Sequence, residues 1–362
     1  MKDFIRYRLQ DFLQWGSRTR GRSAICFPFL NHNMLDIIHN LSKNKHPYAI
    51  KFLPRVKDRY FENRYLTFEH LNEKKELFDE YSMQIEQFFI DNKVKYYVLD
   101  RLTNDDLYLH AAIMGAKTSP NTEIVYLDHG ESGQYNLPYE IYWTSFTDYY
   151  YVGNTDMRGY VEKVAKSLNS SSKIREWKRR LPEKKETRKG LLLFAPAFHE
   201  LGTLGSSYSD VLKYQVRKHM LFALEKLADT HKLKVIWKYM KGEEGFDAVP
   251  EIIKNYKLKN IRYELRNNFN FWLSRAEFFV ADCVSTTFYD AMDMGVKSLA
   301  LWPSILMDIR PDVLKRFGES IYIYDSIDQA IKQLQYFLDQ KFWYQVKVPY
   351  SPDLFPWEED EK

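Results

Sequence analysis

Only two cysteines, Cys26 and Cys283, occur in 362 residues. That excludes a disulfide scaffold and a cysteine-rich zinc site. No apolar run approaches the roughly 18 residues of a membrane span. Residues 1–22 are charged throughout and lack the continuous apolar stretch of a secretory signal, so a cytoplasmic chain is expected. No D-x-D motif follows an apolar strand, and no His/Asp/Glu cluster has metal-ligand spacing. The expected chemistry therefore uses no metal and no cofactor. The phosphate loop G-x-x-x-x-G-K-[ST] is absent, and so is the G-x-S-x-G elbow of an α/β-hydrolase. A net charge of +4 is too small to point to nucleic acid, and the basic residues form two short segments without a base-stacking motif.

What the chain does have is apolar material. Hydrophobic residues make up 45% and charged residues 28%, which excludes global disorder and supports real cores. The length suggests two domains. Aromatics reach 16%, including 27 tyrosines, a composition that suits carbohydrate or nucleobase surfaces as well as ordinary packing. The positive charge is uneven. Residues 1–22 hold six Lys/Arg and two Asp, a difference of +4 that equals the net charge of the whole chain. Ile5, Leu9, Phe12 and Leu13 share one helical face there, followed by Trp15. Such a basic amphipathic helix either lies on an anionic membrane surface or packs on its own domain.

Short β-rich runs alternate with helical patterns, the signature of parallel α/β units. Strands are predicted near 23–28, 48–53, 95–99, 123–127 and 148–152, with helices over 33–42, 73–92 and 104–115 and from Thr155. A Tyr-rich loop is expected between Glu131 and the strand at 148. Residues 170–189 hold nine basic and three acidic residues and read as a connection with a short helix near 174–180. The alternation then restarts with strands at 191–195, 234–239, 260–264, 277–281, 297–301 and 321–324. Helices are expected at 210–229, from about 249, at 285–294 and at 326–339. The expected domains are a basic helix (1–22), a first α/β domain (23–169), the connection (170–189), a second α/β domain (190–340) and a tail (341–362).

Chemistry concentrates in a few places. In AEFFVADCVSTTFYDAMDMGVKSLALW (276–302) a buried strand ends at Asp282, and Ser285, Thr286 and Thr287 open a helix. First-turn N–H groups carry positive partial charge, and three hydroxyls add donors, which suits a phosphate. Asp290, one turn in, suits ribose hydroxyls, and a plain Ser285 cap explains only one hydroxyl of the three. Strand 123–127 delivers Asp128, His129 and Glu131 beyond its carboxyl end, with Gly130 permitting a tight turn. His129, with an ordinary pKa near 6.5, suits a general base, and Asp128 suits orienting it or acting as base itself. Lys238 and Lys241 offer point charges for a phosphate. The loop PAFHELGTLGSS offers His199 and Gly205 ahead of a helix. Arg310, in DIRPD, either reaches the cleft or, as its first reading, forms a surface ion pair.

The order Ala-Asp, Ser/Thr triplet, acid-Ala, Gly and apolar strand resembles the C-terminal donor-binding segment of GT-B glycosyltransferases. More narrowly it resembles the CDP-glycerol glycerophosphotransferases of teichoic acid synthesis and their capsule-polymer relatives. TDYYYVGN (147–154), LLLFAPAF (191–198) and KVIWKYMKGEE (234–244) follow the same order. Asp128-His129-Gly130 matches the family's His-Gly pair and resembles the acid-acid-Gly motif of bacterial CMP-sialic acid transferases. The family's His-Pro pair is replaced here by Lys238-Tyr239-Met240-Lys241, which points to a changed donor or a lost activity. The resemblance implies a GT-B fold of two Rossmann-like domains facing a cleft. It implies a CDP- or CMP-linked donor held by Ser285, Thr286, Thr287 and Asp290, and a lipid-linked or polymer acceptor beside His129, at the inner face of a plasma membrane. A nucleotide-sugar epimerase and a non-catalytic binding protein of the same fold are the alternatives.

Overall fold

Apolar runs such as LLLFA and FFVA have no polar face to give to water. They form parallel strands covered on both sides. The computed structural model describes residues 23–28, 32–43, 47–54, 68–100, 107–128, 133, 137–178, 181, 183–196, 210–238, 248–266, 268–304, 308–340, 343 and 346–360. Those residues fall into two compact units. One draws on Met1–His129, Asn136–Arg179 and Tyr350–Lys362, the other on Gly130–Tyr135 and Arg180–Pro349.

The first unit contains β1 (Ala24–Phe27), α1 (His32–Lys43), β2 (Ala49–Phe52), α2 (Phe68–Asp91), β3 (Val94–Leu99), α3 (Leu107–Thr118) and β4 (Glu123–Leu127). Next come α4 (Leu137–Phe146), β5 (Tyr149–Val152), α5 (Thr155–Ser167) and β6 (Lys173–Glu176). The six strands pair in parallel in the order β2-β1-β3-β4-β5-β6. One face packs Tyr97, Leu99, Tyr126 and Tyr150 against Phe89, Ile113 and Trp143. The other packs Ile25, Val98, Val125 and Tyr151 against Met34, Ile38 and Trp357. The tyrosines here are core: Tyr126 stacks on Trp143 with centroids 3.7 Å apart.

The second unit contains β7 (Leu191–Ala195), α6 (Asp210–His231), β8 (Lys234–Lys238), α7 (Val249–Asn255), β9 (Ile261–Glu264), α8 (Phe269–Leu273), β10 (Phe278–Ala281) and α9 (Thr286–Asp293). It continues with β11 (Lys297–Pro303), α10 (Pro311–Phe317), β12 (Ile321–Tyr324) and α11 (Ile327–Asp339). Its parallel sheet has the order β12-β11-β10-β7-β8-β9. Gly295, at φ +65°, ends α9 in the left-handed conformation that glycine adopts freely.

The last stretch, 350–360, joins the first unit through α12 (Pro356–Glu359). The Phe355 and Trp357 rings stack at 4.7 Å, and Trp357 is buried against Tyr96. Asp360 accepts from Tyr48 Oη, from Tyr96 Oη at 2.6 Å and from Lys95 Nζ at 2.7 Å.

Two sequence expectations fail. The Tyr-rich segment is not a loop: LPYEIYWTSF forms α4, because Trp143 and its neighbours bury against the sheet. The short helix expected near 174–180 is replaced at 173–176 by β6, an edge strand. Its register Tyr149↔Lys173 to Val152↔Glu176 lets alternate residues Ile174 and Glu176 turn inward. The basic helix expected at 1–22 lies outside the described residues.

Candidate functional site

In an open α/β sheet, ligands bind beyond the carboxyl ends of the strands, where the strand order reverses. In the second unit the chain runs from β7 outward to β8 and β9, then returns to the other side of β7 as β10. The reversal lies between β7 and β10. β10 pairs with β7 in flush register, Phe278↔Leu192 to Ala281↔Ala195, so both strands end together. Asp282, Cys283 and Val284 leave that edge, and Ser285 starts α9.

Ser285 has the extended backbone of an N-cap, φ −110° and ψ 179°, yet its side chain does not cap the helix. Its Oγ lies 2.9 Å from Thr287 Oγ1 instead. The carbonyl of Ser285 accepts from Phe288 N–H at 2.8 Å and Tyr289 N–H at 3.2 Å. Ser285, Thr286 and Thr287 are half-exposed, while Asp282 and Asp290 are buried. The arrangement is a pair of hydroxyls at a helix amino end, between two buried carboxylates, at the sheet's reversal point. Chemically it can donate hydrogen bonds to an anion and add the helix field to them.

Gly133 belongs to this unit and was not singled out by sequence. Its N–H donates to Val284 O at 3.0 Å, and its carbonyl accepts from Arg310 N–H at 2.8 Å. A Cβ there would sit 2.4 Å from Val284 Cγ1, so only glycine fits between the two segments. Arg310 is not at the surface as expected. It is fully buried at the start of α10, with Nε 3.5 Å from Asp312 Oδ1. Its backbone is held by the Gly133 carbonyl, and Gly133 N–H bonds Val284, three residues past the end of β10. Arg310 brings a permanent positive charge to this edge.

Lys238 ends β8 and is buried, with Nζ donating to Glu264 O on β9 at 3.0 Å. Because β7 stands between β8 and β10, the strand spacing alone puts roughly 10 Å between Lys238 and the Ser285 edge. The structure therefore places Ser285, Thr286, Thr287 and Asp290 together at the start of α9, and Lys238 two strands from β10 at the end of β8. Lys241, His199 and Gly205 lie outside the described residues.

In the first unit the reversal lies between β1 and β3. Asp128 sits at the end of β4, one strand beyond β3, buried, with its N–H donating to Tyr151 O at 2.8 Å. His129 and Glu131 lie outside the described residues. Asp100, at the end of β3 and 1% exposed, flanks the reversal more closely than Asp128. The signal for it was in the sequence: KYYVLD repeats the pattern of EIVYLD.

Among the described residues no group of three or more His, Cys, Asp or Glu could hold a metal ion. None of the described helices is long and apolar enough to cross a membrane.

Neither a protein-family model nor a curated protein sequence matches the chain. Solved structures do. S. aureus MnaA, determined with UDP, superposes with a TM-score of 0.57 at 12% identity, covering 94% of this chain and 95% of that one. The UDP-GlcNAc 2-epimerase of Methanocaldococcus jannaschii gives 0.52 at 13% identity, covering 89% and 94%. LpCGTa, determined with UDP, gives 0.51 at 10% identity, covering 89% and 91%. With two parallel six-stranded sheets and interleaved helices, the chain has the GT-B fold.

Proposed function

We propose that the chain is a GT-B transferase that moves a glycosyl or glycerol-phosphate group from a pyrimidine-nucleotide donor to a hydroxyl of a cell-surface polymer precursor. The observation that carries the reading is the hydroxyl pair Ser285 and Thr287 at the start of α9, located where the second sheet reverses. The donor's phosphates would dock there, with Asp290 taking ribose hydroxyls and the Arg310 guanidinium adding positive charge. The acceptor hydroxyl would lose its proton to His129 while its oxygen attacks the transferred group. The bond to the nucleotide then breaks, and the leaving phosphate keeps the negative charge that the helix end and the hydroxyls stabilise. Asp128, with Glu131, would orient His129. The acceptor in this reading is lipid-linked or polymeric, and the basic segment 1–22 would hold the enzyme at an anionic membrane surface.

The two supports differ on the base. The motif resemblance favours a cytidine donor, CDP-glycerol first and a CMP-sugar second. Two of the similar structures carry UDP in their names, and a third is named for UDP-GlcNAc. A thermal-shift panel of CMP, CDP, CDP-glycerol, UDP, UDP-GlcNAc and GDP separates these. A ligand at about 100 times its Kd stabilises by roughly 2.7 kcal/mol. Absence of any nucleotide-dependent shift defeats the proposal.

A second reading is a nucleotide-sugar epimerase, favoured by the M. jannaschii enzyme of the same fold. Release of an isomerised UDP-sugar in the absence of any acceptor decides for it.

A further inference from the structure

The basic run within 170–189 has no part in the proposed reaction. Its second half is not a free connection. Lys185 N–H donates to Ser274 O at 2.9 Å, Arg188 N–H to Arg275 O at 2.9 Å, and Gly190 N–H to Glu277 Oε2 at 2.7 Å. These three bonds lay the run along the amino-terminal ends of the second unit's strands. There it forms one wall of a cavity of about 370 Å³ that Lys184, Thr187, Lys189, Glu277, Gly295 and Lys297 help to line. Cavities that hold small ligands begin near this size.

The charge in the cavity is unbalanced. Three lysines face one carboxylate. Glu277 is already engaged on both oxygens: Oε1 accepts from Lys297 Nζ at 2.9 Å and Oε2 from Gly190 N–H. Burial raises its pKa, but the Gly190 N–H and the Lys297 ammonium outweigh burial and hold it below the usual carboxylate range. The engagement fixes Lys297, whose Nζ also lies 3.7 Å from the centre of the Trp343 ring. Lys184 Nζ reaches Gly295 O at 3.4 Å, the carboxyl end of α9, where a cation is favoured. Lys189 adds to the positive field that holds the Glu277 pKa down, and both Lys184 and Lys189 are exposed.

The cavity is separate from the Ser285 edge. It opens at the start of β10 and β11, and Ser285 lies beyond the end of β10, a strand of four residues or roughly 13 Å. We propose that this cavity is a second ligand site, which holds an oxyanion, phosphate or carboxylate, carried on a small hydroxylated unit. The two exposed lysines beside the Lys297–Glu277 pair supply the charge, Thr187 supplies a hydroxyl, and the volume admits one sugar-phosphate-sized unit. The unit comes either from a free phosphorylated metabolite or from one repeat of an anionic polymer. The inference does not rest on the transferase reading.

The test is calorimetric titration of the full chain with two probes, glucose 1-phosphate and a poly(glycerol phosphate) chain. The variants are K184Q/K189Q, K184R/K189R and S285A/T287A. Because Lys184 and Lys189 are exposed, their variants keep the wild-type melting curve, which is checked first. At least one probe is expected to bind, at least tenfold more weakly in K184Q/K189Q, with affinity kept in K184R/K189R and in S285A/T287A. Binding of the monomer identifies a metabolite source, and binding of the chain alone identifies a polymer. Equal affinity in K184Q/K189Q and wild type overturns the proposal. So does loss of binding only in S285A/T287A, or failure of both probes to bind wild type.

Discussion

Gly133→Ala isolates the contact that fixes the start of α9. Gly133 is not among the glycines with positive φ, so the demand for glycine there is one of space. An added Cβ meets Val284 Cγ1 at 2.4 Å, Val284 Cβ at 2.9 Å and Val313 Cγ1 at 3.2 Å. Carbon atoms pack best at about 3.5–4.0 Å, so at least ~1 Å of displacement is forced. If the segment stays, overpacking costs about 1–3 kcal/mol. If it detaches, the bonds Gly133 N–H to Val284 O and Arg310 N–H to Gly133 O are lost, at about 0.5–1.5 kcal/mol each. Both routes give ~1–3 kcal/mol. The direct readout is hydrogen exchange at the Arg310 amide, whose acceptor is the Gly133 carbonyl. At roughly 1.4 kcal/mol per tenfold, its exchange should accelerate about 5–150-fold while core strand amides stay protected. In Gly133→Ala/Val284→Ala the 2.4 Å contact is gone, while those to residue 284 Cβ at 2.9 Å and Val313 Cγ1 at 3.2 Å remain, so most of the protection returns. Unchanged exchange in the single variant, or equal acceleration in the double, refutes the packing argument.

Further outcomes follow from the same packing. Gly115→Ala puts a Cβ 2.7 Å from Ser82 O and 3.0 Å from Glu86 N, where α3 crosses α2. A gain of about 1 kcal/mol in helix propensity offsets only part of the clash, so the urea midpoint of unfolding falls. Asp360 feels burial, which raises its pKa, but Lys95, Tyr48 and Tyr96 outweigh burial and hold it below the usual range. A depressed folded pKa means that the docking it supports is present above the unfolded value near 3.9 and lost as pH falls through the folded one. Cleavage of 350–360 by an acid-active protease should therefore rise below about pH 4, and Asp360→Asn should remove that pH dependence. Under the transferase reading, S285A/T287A weakens nucleotide binding about tenfold or more, measured by calorimetry. His129→Ala slows turnover about 10²–10⁴-fold at unchanged nucleotide affinity, and equal loss of both would show His129 acting on the fold instead.

The strands were legible because a buried parallel strand has to be apolar throughout, and β4, β7 and β12 have the bounds that their apolar runs predict. β6 was not legible. KIRE at a sheet edge needs only one apolar contact, from Ile174, and its charged residues obscured the pattern. The helix α4 was hidden for a related reason. LPYEIYWTSF is apolar on nearly every side, so no stripe marks it, and its proline reads as a loop signal although it stands in the first turn, where helices tolerate it. Within the site, Ser285–Thr287 and Asp290 could be read because a strand, a hydroxyl triplet and a helix are consecutive in sequence. Gly133 and Arg310 could not, since their meaning lies in two backbone bonds between segments more than 150 residues apart. Lys238 shows the converse limit, for spacing along the chain does not tell which neighbouring strand a long side chain will bond.

One pattern ties the two units together. KYYVLD, EIVYLD and EFFVAD each close an apolar run with an aspartate. The three acids, Asp100, Asp128 and Asp282, end central strands of the two sheets and are 1%, 7% and 9% exposed. Three carboxylates at the carboxyl ends of β3, β4 and β10, with Arg310 buried on the same edge of the second sheet, put charge where an open α/β sheet takes its ligands. Replacing Asp100 and Asp282 by asparagine, one at a time, tests this. If the acids serve a ligand, Asp282→Asn changes nucleotide affinity and Asp100→Asn changes turnover, each with a stability change under about 1 kcal/mol. If both variants only unfold more readily, the acids are parts of the core and the edge loses its claim to chemistry.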